Sequence, residues 1–252
     1  MEEINKFFDS RNTVTHLSEN EKDLLNDYLG AVDAFSRLSY KSIYVIDYEK
    51  KSFEYVSDNP LFLCGLSSQE VKELGYGFYF KCVKKEDLDL LLKINEAGFD
   101  FYERLPVEER KLYTISYDFH LINEKNKSVL VNHKLTPIYL TENGKIWKAM
   151  CLVALSPNNS AGNITISKQG GENLWKFNLS SNSWEKEEKV KLSEREIQIL
   201  EFSARGLTIN EISEKIFLSA DTVKFHRKKI FDKINVQSIA EALSYAKINK
   251  LI

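Results

Sequence analysis

Hydrophobic and polar positions follow two different periods along the chain. Between residues 42 and 156 most apolar residues fall in short runs that alternate with polar ones, which is typical of strands. From residue 191 to 252 they recur every three or four positions, which is typical of amphipathic helices. The pattern therefore predicts an α+β protein, with an antiparallel sheet and helices first and an all-α part last.

The predicted C-terminal helices begin at clear N-cap sequences. Capping boxes, in which Ser or Thr and a Glu three residues later satisfy open backbone N–H groups, start at Ser193, Thr208 and Ser238. Ser219 is a further N-cap, and Gly206 is a natural left-handed end for the first helix. Four short helices, two of them joined by a tight turn, predict a helix-turn-helix module.

The helix that begins after Ser219 divides into two faces at about 100° per residue. Val223, Ile230 and Ile234 form an apolar stripe that we expect in the core. The other side carries two lysines and an aromatic ring within one narrow arc, namely Lys224, Phe225 and Lys228. Such an outward face predicts contact with a polyanion.

Residues 191–252 resemble the DNA-binding domain of LuxR-type bacterial transcription regulators. The resemblance rests on Ser219 and on the segments 192–196, 206–208, 211–212, 222–226, 230–234 and 241–242. It implies that Lys224, Phe225 and Lys228 face base edges in the major groove, where lysine donates to guanine and a phenyl ring contacts the thymine methyl group. It also implies that residues beside them contact phosphates and position the helix, namely Thr222, His226, Arg227 and Lys229.

Two plainer interpretations stay open for these residues. Lys224 and Lys228 could be ordinary solvated lysines, and His226 could be a hydrogen-bonded histidine beside the core. Charge favours the nucleic-acid interpretation, because residues 191–252 hold 11 Lys and Arg against 8 Asp and Glu, whereas the remainder holds 24 against 29. The positive charge is concentrated in 222–233, as a small DNA-binding module requires.

The order of predicted elements in 42–156 is that of a PAS domain. Strands at 43–48 and 52–57 form a hairpin, short helices follow near 60–63, 69–74 and 86–94, and three long strands occupy 113–122, 128–139 and 146–155. Segments 58–66 and 83–88 also resemble PAS segments at these places. The resemblance implies a domain that senses a small molecule or mediates dimerisation.

One histidine is a candidate for the pocket of this domain. His133 shares a strand face with Val131 and Leu135, so it points inward either as a pocket donor or as a hydrogen-bonded core residue. His120 shares a polar face, and we expect it to be exposed. No flavin signature surrounds Cys64, and no histidine is evident as a haem ligand, so no cofactor is predicted and the small-molecule ligand is not identified.

The cysteines and the termini suggest a cytoplasmic protein. Cys64, Cys82 and Cys151 are isolated and odd in number, so we expect reduced thiols without a metal site. No apolar run is long enough to cross a bilayer, and the first residues do not resemble a signal peptide. No nucleophile motif or phosphate-binding loop predicts an enzyme.

These observations predict four parts. Residues 1–41 form an N-terminal helical segment, in which a capping box at Ser18 and Glu21 precedes an apolar face. Residues 42–156 are the PAS-like sensor or dimerisation domain, and residues 191–252 are the DNA-binding domain. Residues 157–190 form a linker between them. It contains a possible hairpin of 164–167 and 174–179, followed by a flexible charged connector from 180 to 191. The apolar face of the first part could pack on its own domain or on a second copy of it, and it comprises Leu24, Leu25, Tyr28, Leu29, Val32 and Phe35.

The predicted function is that of a one-component bacterial transcription regulator. It binds double-stranded DNA as a homodimer, with the helix at 239–250 as the dimer contact and RNA polymerase as a further partner. One alternative is a protein-interaction adaptor that docks RNA polymerase or a signalling partner without contacting DNA. Another is a ligand-binding sensor whose output is not transcription, but this leaves the basic helix unexplained.

Overall fold

The structure, a computed structural model, describes residues 28–249 and 251–252. The predicted capping box at Ser18 and Glu21 and the apolar residues Leu24 and Leu25 lie outside the described residues. The chain divides between Glu187 and Glu188 into two compact units. Within the described part, no helix has the length and apolar character needed to cross a membrane.

The first unit is built on one eight-stranded sheet with the order β2-β1-β5-β4-β3-β6-β7-β8. Pairing is antiparallel from β2 through β7. The strands are β1 (Ser42–Asp47), β2 (Ser52–Val56), β3 (Tyr113–Ile122), β4 (Ser128–Leu140), β5 (Ile146–Leu155), β6 (Gly162–Lys168), β7 (Asn173–Asn178) and β8 (Ser183–Glu188).

The helices of this unit precede β1 or connect β2 to β3. They are α1 (Tyr28–Ser39), α2 (Pro60–Leu63), α3 (Ser68–Leu74), α4 (Gly77–Cys82), α5 (Lys85–Glu103) and a 3-10 helix (Val107–Leu112). Two strands, a helical connection and three antiparallel strands confirm the predicted PAS-like arrangement. The sequence did not predict α4, and α5 continues well beyond its predicted end at 94. Gly98 lies within α5, at a place where the helix is so close to β3 that a Cβ there would be 3.1 Å from Ile115 Cδ1.

Aromatic side chains fill the core between the sheet and these helices. Tyr44 of β1 stacks on Phe62 of α2 with ring centroids 4.4 Å apart. Phe53 and Phe78 contact the same group of rings. Because successive residues of a strand point to opposite faces, Ile43 and Val45 lie on the other side of β1.

Helix α1 covers that other side through Val32, which packs on Ile43 and Val45. Phe35, which belongs to the predicted apolar face of this helix, is 49% exposed. Neighbouring positions of α1 form polar contacts with β2. Ser36 and Tyr55, for example, are joined through their hydroxyl groups at 2.9 Å.

The segment 157–190, expected to be a linker, contains three strands. The predicted hairpin is present as β6 and β7, with Ile166 opposite Trp175, and β6 pairs with β3 through Ile166 and Ile115. The expectation of a flexible connector from residue 180 was wrong for 183–188, which form β8. Trp184 is the cause, because its ring packs against Phe101 and Phe177.

The second unit contains the four predicted helices, α6 (Glu194–Ala204), α7 (Ile209–Lys215), α8 (Ala220–Ile234) and α9 (Ile239–Ile248). Complete capping boxes form at Ser193 and Thr208. At the third box the Glu241 carboxylate accepts from the amide of Gln237 at 3.0 Å. The core is apolar and contributed by all four helices, and it includes Ile199, Leu200, Ile212, Val223, Ile230, Ala242 and Ala246. Ala204, at the end of α6, is exposed.

Candidate nucleic-acid interface

Helix α8 is anchored at both ends and along one face. At its start, the Ser219 hydroxyl accepts a hydrogen bond from the amide of Thr222 at 3.1 Å, as a good N-cap does. At its end, Asn235 adopts a left-handed conformation with φ of 52°. Val223, Ile230 and Ile234 are buried, as predicted. The helix therefore presents a fixed opposite face.

The structure places Lys224, Phe225 and Lys228 together on that opposite face. Phe225 is 64% exposed, and both lysines are exposed as well. Lys224 contacts Asp221 one turn earlier, with Nζ 3.0 Å from Oδ1. Both partners are solvated, so this ion pair is weak and easily exchanged for another anion. Lys228 has no ion-pair partner among the described residues.

The four predicted phosphate contacts flank this face. Lys229 is exposed, whereas Thr222, His226 and Arg227 are half-buried. The Thr222 hydroxyl is hydrogen-bonded to that of Ser219 at 2.8 Å. Nδ1 of His226 is buried and finds no hydrogen-bond partner in the described part of the chain. The Arg227 guanidinium lies over the ring of Phe231, 5.9 Å from its centroid.

A buried ion pair fixes α8 against α6, and sequence reasoning missed it. Lys233 Nζ lies 2.7 Å from Oε2 of Glu196, whose side chain is 1% exposed. Burial alone would raise the pKa of Glu196, but hydrogen bonds from Lys233 and Ser193 outweigh it and hold the pKa below its usual value. Lys233 is thus engaged within the unit, although its charge had been counted with the basic residues of α8. The capping box already accounts for a glutamate at position 196, so the sequence gives no sign that this carboxylate has a second partner.

The first unit contains a separate small cavity, of about 30 Å³. Helix α5 forms one wall, and the opposite wall comprises side chains from β3, β4 and β5 together with Tyr48. None of the lining side chains is charged. Burial raises the pKa of Tyr48, Tyr102 and Tyr117 in this lining, so their phenols stay neutral.

His133 lies beside this cavity and does not line it. Its ring is 4.7 Å from that of Tyr117, which does. Nε2 is 2.6 Å from the Tyr44 hydroxyl, whereas Nδ1 is buried without a hydrogen-bond partner in the described residues. Burial lowers the pKa of His133 to about 3, so the ring is neutral. His120, expected to be exposed, is largely covered, with Nδ1 2.8 Å from Oδ2 of Asp87.

A helix-turn-helix unit with one cationic outward helix has the features of a nucleic-acid-binding module. The model of the family described as "Bacterial regulatory proteins, luxR family" matches residues 190–246. The C-terminal unit is a LuxR-type helix-turn-helix domain, as the resemblance implied.

Curated relatives match the same part of the chain. Fimbriae Z protein of Escherichia coli strain K12 is 43% identical over 61 residues, which cover 24% of this chain and 29% of that protein. Oxygen regulatory protein NreC of Staphylococcus carnosus strain TM300 is also 43% identical over 61 residues, with 24% and 28% covered. The chain therefore spans less than a third of the length of these relatives.

Among solved structures, the VqmA dimer of Vibrio cholerae, described as a LuxR-type receptor, is similar over 86% of both chains. The sequence identity is 15% and the TM-score is 0.36.

Proposed function

We propose that this protein is a bacterial transcription regulator that binds double-stranded DNA through α8 and senses a small molecule in its PAS-like unit. The observation that carries the proposal is the division of α8 into a fully buried apolar face and an exposed face with two lysines and a phenyl ring. A phenyl ring held between two ammonium groups on one helix face can contact the thymine methyl group while the lysines donate to neighbouring base edges. Acting on DNA, the protein works in the cytoplasm and catalyses no reaction.

In this function the side chains of α8 have two kinds of role. Lys224, Phe225 and Lys228 enter the major groove and read base edges. Residues at the sides of the helix hold phosphates and set its register, namely Thr222, His226, Arg227 and Lys229. Asp221 keeps the Lys224 ammonium close to the helix until a base edge replaces it.

The protein acts as a homodimer on two half-sites about 34–36 Å apart, which is one turn of DNA. Helix α9 is the proposed contact between the two copies of the DNA-binding domain. An activator of transcription would also contact RNA polymerase. The ligand of the PAS-like unit is uncharged and largely apolar, because the cavity is lined by neutral side chains only.

Two alanine variants of α8 test the DNA-binding roles. A preferred duplex is first selected from a random pool, and binding is then measured by fluorescence anisotropy at several salt concentrations. Lys224→Ala should cost about 1–3 kcal/mol on the preferred duplex and much less on random duplexes. Lys229→Ala should weaken binding to both equally and reduce the salt slope by about 0.9.

Lys50→Ala, at an exposed turn of the first unit, is the matched control and should leave binding unchanged. Equal losses on all duplexes for both α8 variants would contradict the assigned roles. Absence of any salt-dependent binding would favour a different function, a protein-interaction adaptor without DNA contact. The observation favouring that function is Phe217, 93% exposed in the turn between α7 and α8.

A further inference from the structure

Helix α5 has two neighbouring faces, and each contacts a different part of the first unit. One face forms a wall of the cavity and comprises Ile94, Asn95, Gly98, Phe99 and Tyr102. The other presents residues 93, 97 and 101, whose spacing of four places them in one row along the helix. This second row contacts the C-terminal strands of the unit.

Each residue in the second row has a defined partner in 175–184. Lys93 Nζ donates to the carbonyl oxygen of Leu179 at 3.0 Å. The indole Nε1 of Trp184 donates to the carbonyl oxygen of Ala97 at 3.3 Å. The ring of Phe101 lies 5.2 Å from that of Trp184 and 5.3 Å from that of Trp175.

Trp184 is the side chain that attaches β8 to α5. The other five side chains of β8 are exposed, and Trp184 alone is half-buried. It contacts α5 through both its ring and its N–H group. Strand β8 also ends at Glu188, the residue at which the second compact unit begins. The position of Trp184 therefore sets where the chain leaves the first unit.

The two walls of the cavity differ in how firmly they are held. The wall of β3, β4 and β5 is cross-linked by backbone hydrogen bonds between neighbouring strands. The α5 wall is held against β3 by side-chain contacts, which include the close approach of Gly98 to Ile115 and hydrogen bonds from Tyr102 to the carbonyl oxygen of Tyr113 and from His120 to Asp87. A ligand too large for this small cavity therefore displaces α5 more readily than the sheet. A helix moves as a rigid element, so its outer row moves with its inner face.

We propose that Trp184 couples the position of α5, and hence the occupancy of the cavity, to the position of β8 and of the segment that follows it. This inference rests on the proposed sensory function and names the route by which the cavity is connected to the chain that leads into the DNA-binding domain. Trp184 acts here as a positioning residue, because it touches α5 and not the ligand.

A substitution inside the cavity can replace the unidentified ligand as the probe. Gly98→Ala places a methyl group 3.1 Å from Ile115 Cδ1, closer than an ordinary contact, so α5 and the Ile115 side chain must move apart by a few tenths of an ångström. Gly77→Ala is the matched control, because a Cβ there meets nothing within 4 Å. The full chain is labelled with 5-fluorotryptophan, which gives a fluorine signal for each of its 3 tryptophans. We expect Gly98→Ala to shift the Trp184 signal and to leave the Trp147 signal in place. We expect Gly77→Ala to shift neither signal.

Hydrogen exchange of residues 185–188 measures whether the movement reaches the end of β8. Gly98→Ala should speed this exchange on the order of tenfold. In a Trp184→Ala chain the exchange should already be fast, and adding Gly98→Ala should not speed it further. If Gly98→Ala does not fold, Ile115→Val, which removes the methyl group that Gly98 faces, replaces it in both measurements.

An unmoved Trp184 signal in the folded Gly98→Ala chain would overturn the proposal. So would a Gly98→Ala effect on residues 185–188 that is equally large with and without Trp184, because the movement would then bypass this side chain. Neither measurement involves DNA. Failure of this coupling and failure of DNA binding would therefore be seen separately.

Discussion

At the residue scale, the outer side of the sheet contains a charged group that is hidden from water. The Lys148 ammonium is 1% exposed and lies 3.1 Å from Asp47 Oδ2 and 2.6 Å from Glu54. It also lies over the ring of Tyr28, whose hydroxyl donates to Glu54. Such a group is stable only because two carboxylates and an aromatic face replace its hydration. It ties β5 to β1, β2 and α1.

Lys148→Met should therefore destabilise the first unit strongly. It leaves Asp47 and Glu54 together without their cation, and we expect a loss of about 3–5 kcal/mol in the free energy of unfolding. All 3 tryptophans lie before residue 188, so urea unfolding followed by tryptophan fluorescence reports on this unit. The exposed Lys50→Met should change the value by less than about 0.5 kcal/mol. A loss below about 1 kcal/mol for Lys148→Met would show that the two carboxylates find other compensation.

A second prediction at this scale concerns the buried His133. Its pKa is about 3 in the folded unit against 6.5 ordinarily, so between these values the unfolded chain binds a proton that the folded chain does not. The unit should therefore lose about 1.4 kcal/mol of stability for each pH unit as the pH falls below 6.5. His133→Gln cannot titrate and keeps a hydrogen-bonding group near Tyr44.

Stability measured from pH 7 to pH 4 should accordingly fall less steeply for His133→Gln than for the unmodified chain. The carboxyl groups contribute the same slope to both proteins, so the difference isolates the histidine. Identical slopes would mean that His133 gains a proton in the folded unit, through water or a rearranged Tyr44.

At the element scale, the orientation of α8 depends on its attachment to α6. The helix begins at Ser219 and buries Val223 and Ile230, and local sequence suffices to predict both features. The pairing of Lys233 with Glu196 joins positions 37 residues apart, and no local pattern predicts such a contact. The pair lies one residue before the end of the helix, and together with the buried apolar face it holds α8 against α6.

Lys233→Met should lower the stability of the second unit by about 1–3 kcal/mol, because the Glu196 carboxylate stays buried without its cation. Unfolding is followed by helical circular dichroism, with tryptophan fluorescence as an internal check that the first unit is unchanged. Because hydrogen bonds from Lys233 and Ser193 hold the pKa of folded Glu196 below its unfolded value of 4.5, the effect is fully present above 4.5 and is lost as the pH falls through the lower folded pKa. Lys228→Met, exposed on the same helix, is the control. An equal loss in both variants would point to helix propensity as the cause.

Elements differ in how far the sequence predicts them, and the difference has a physical cause. Helices α6 to α9 are marked by caps and an apolar stripe within each helix, so their order and inward faces follow from local residues. Strand β8 has only Trp184 as an apolar side chain, and it is ordered by α5, some 80 residues earlier in the chain. Helix α4 is rich in aromatic residues that favour strands, yet Phe78 and Tyr79 are buried as parts of a helix. Contacts distant in sequence decide these last two cases.

At the scale of the whole molecule, each unit has its own core and its own charge. The second unit buries Ile199, Ile212, Val223 and Ile230 among its own four helices. It carries a net positive charge, whereas the rest of the chain is negative. The negative part repels phosphates, so contact with DNA is confined to the second unit in the proposed function. The charge division was predictable from the sequence, whereas the cavity and its α5 wall required the fold.

A fragment of residues 188–252 should therefore fold without the first unit. Its hydrophobic core is complete, and its helices carry their own caps. We expect a helical circular dichroism spectrum and one cooperative thermal transition. On a duplex with two half-sites, the fragment should bind more weakly than the full chain by a factor of about 10² to 10⁴, because in the proposed homodimer the first unit also joins the two copies and raises their effective concentration.

On a duplex with a single half-site, fragment and full chain should bind with similar affinity, since only one copy makes contact. This comparison separates the two parts of the argument. A fragment that folds but binds two half-sites as tightly as the full chain would show that the second unit dimerises without help from the first. An unfolded fragment would show that the core of the second unit is insufficient by itself, which would contradict the division at Glu188.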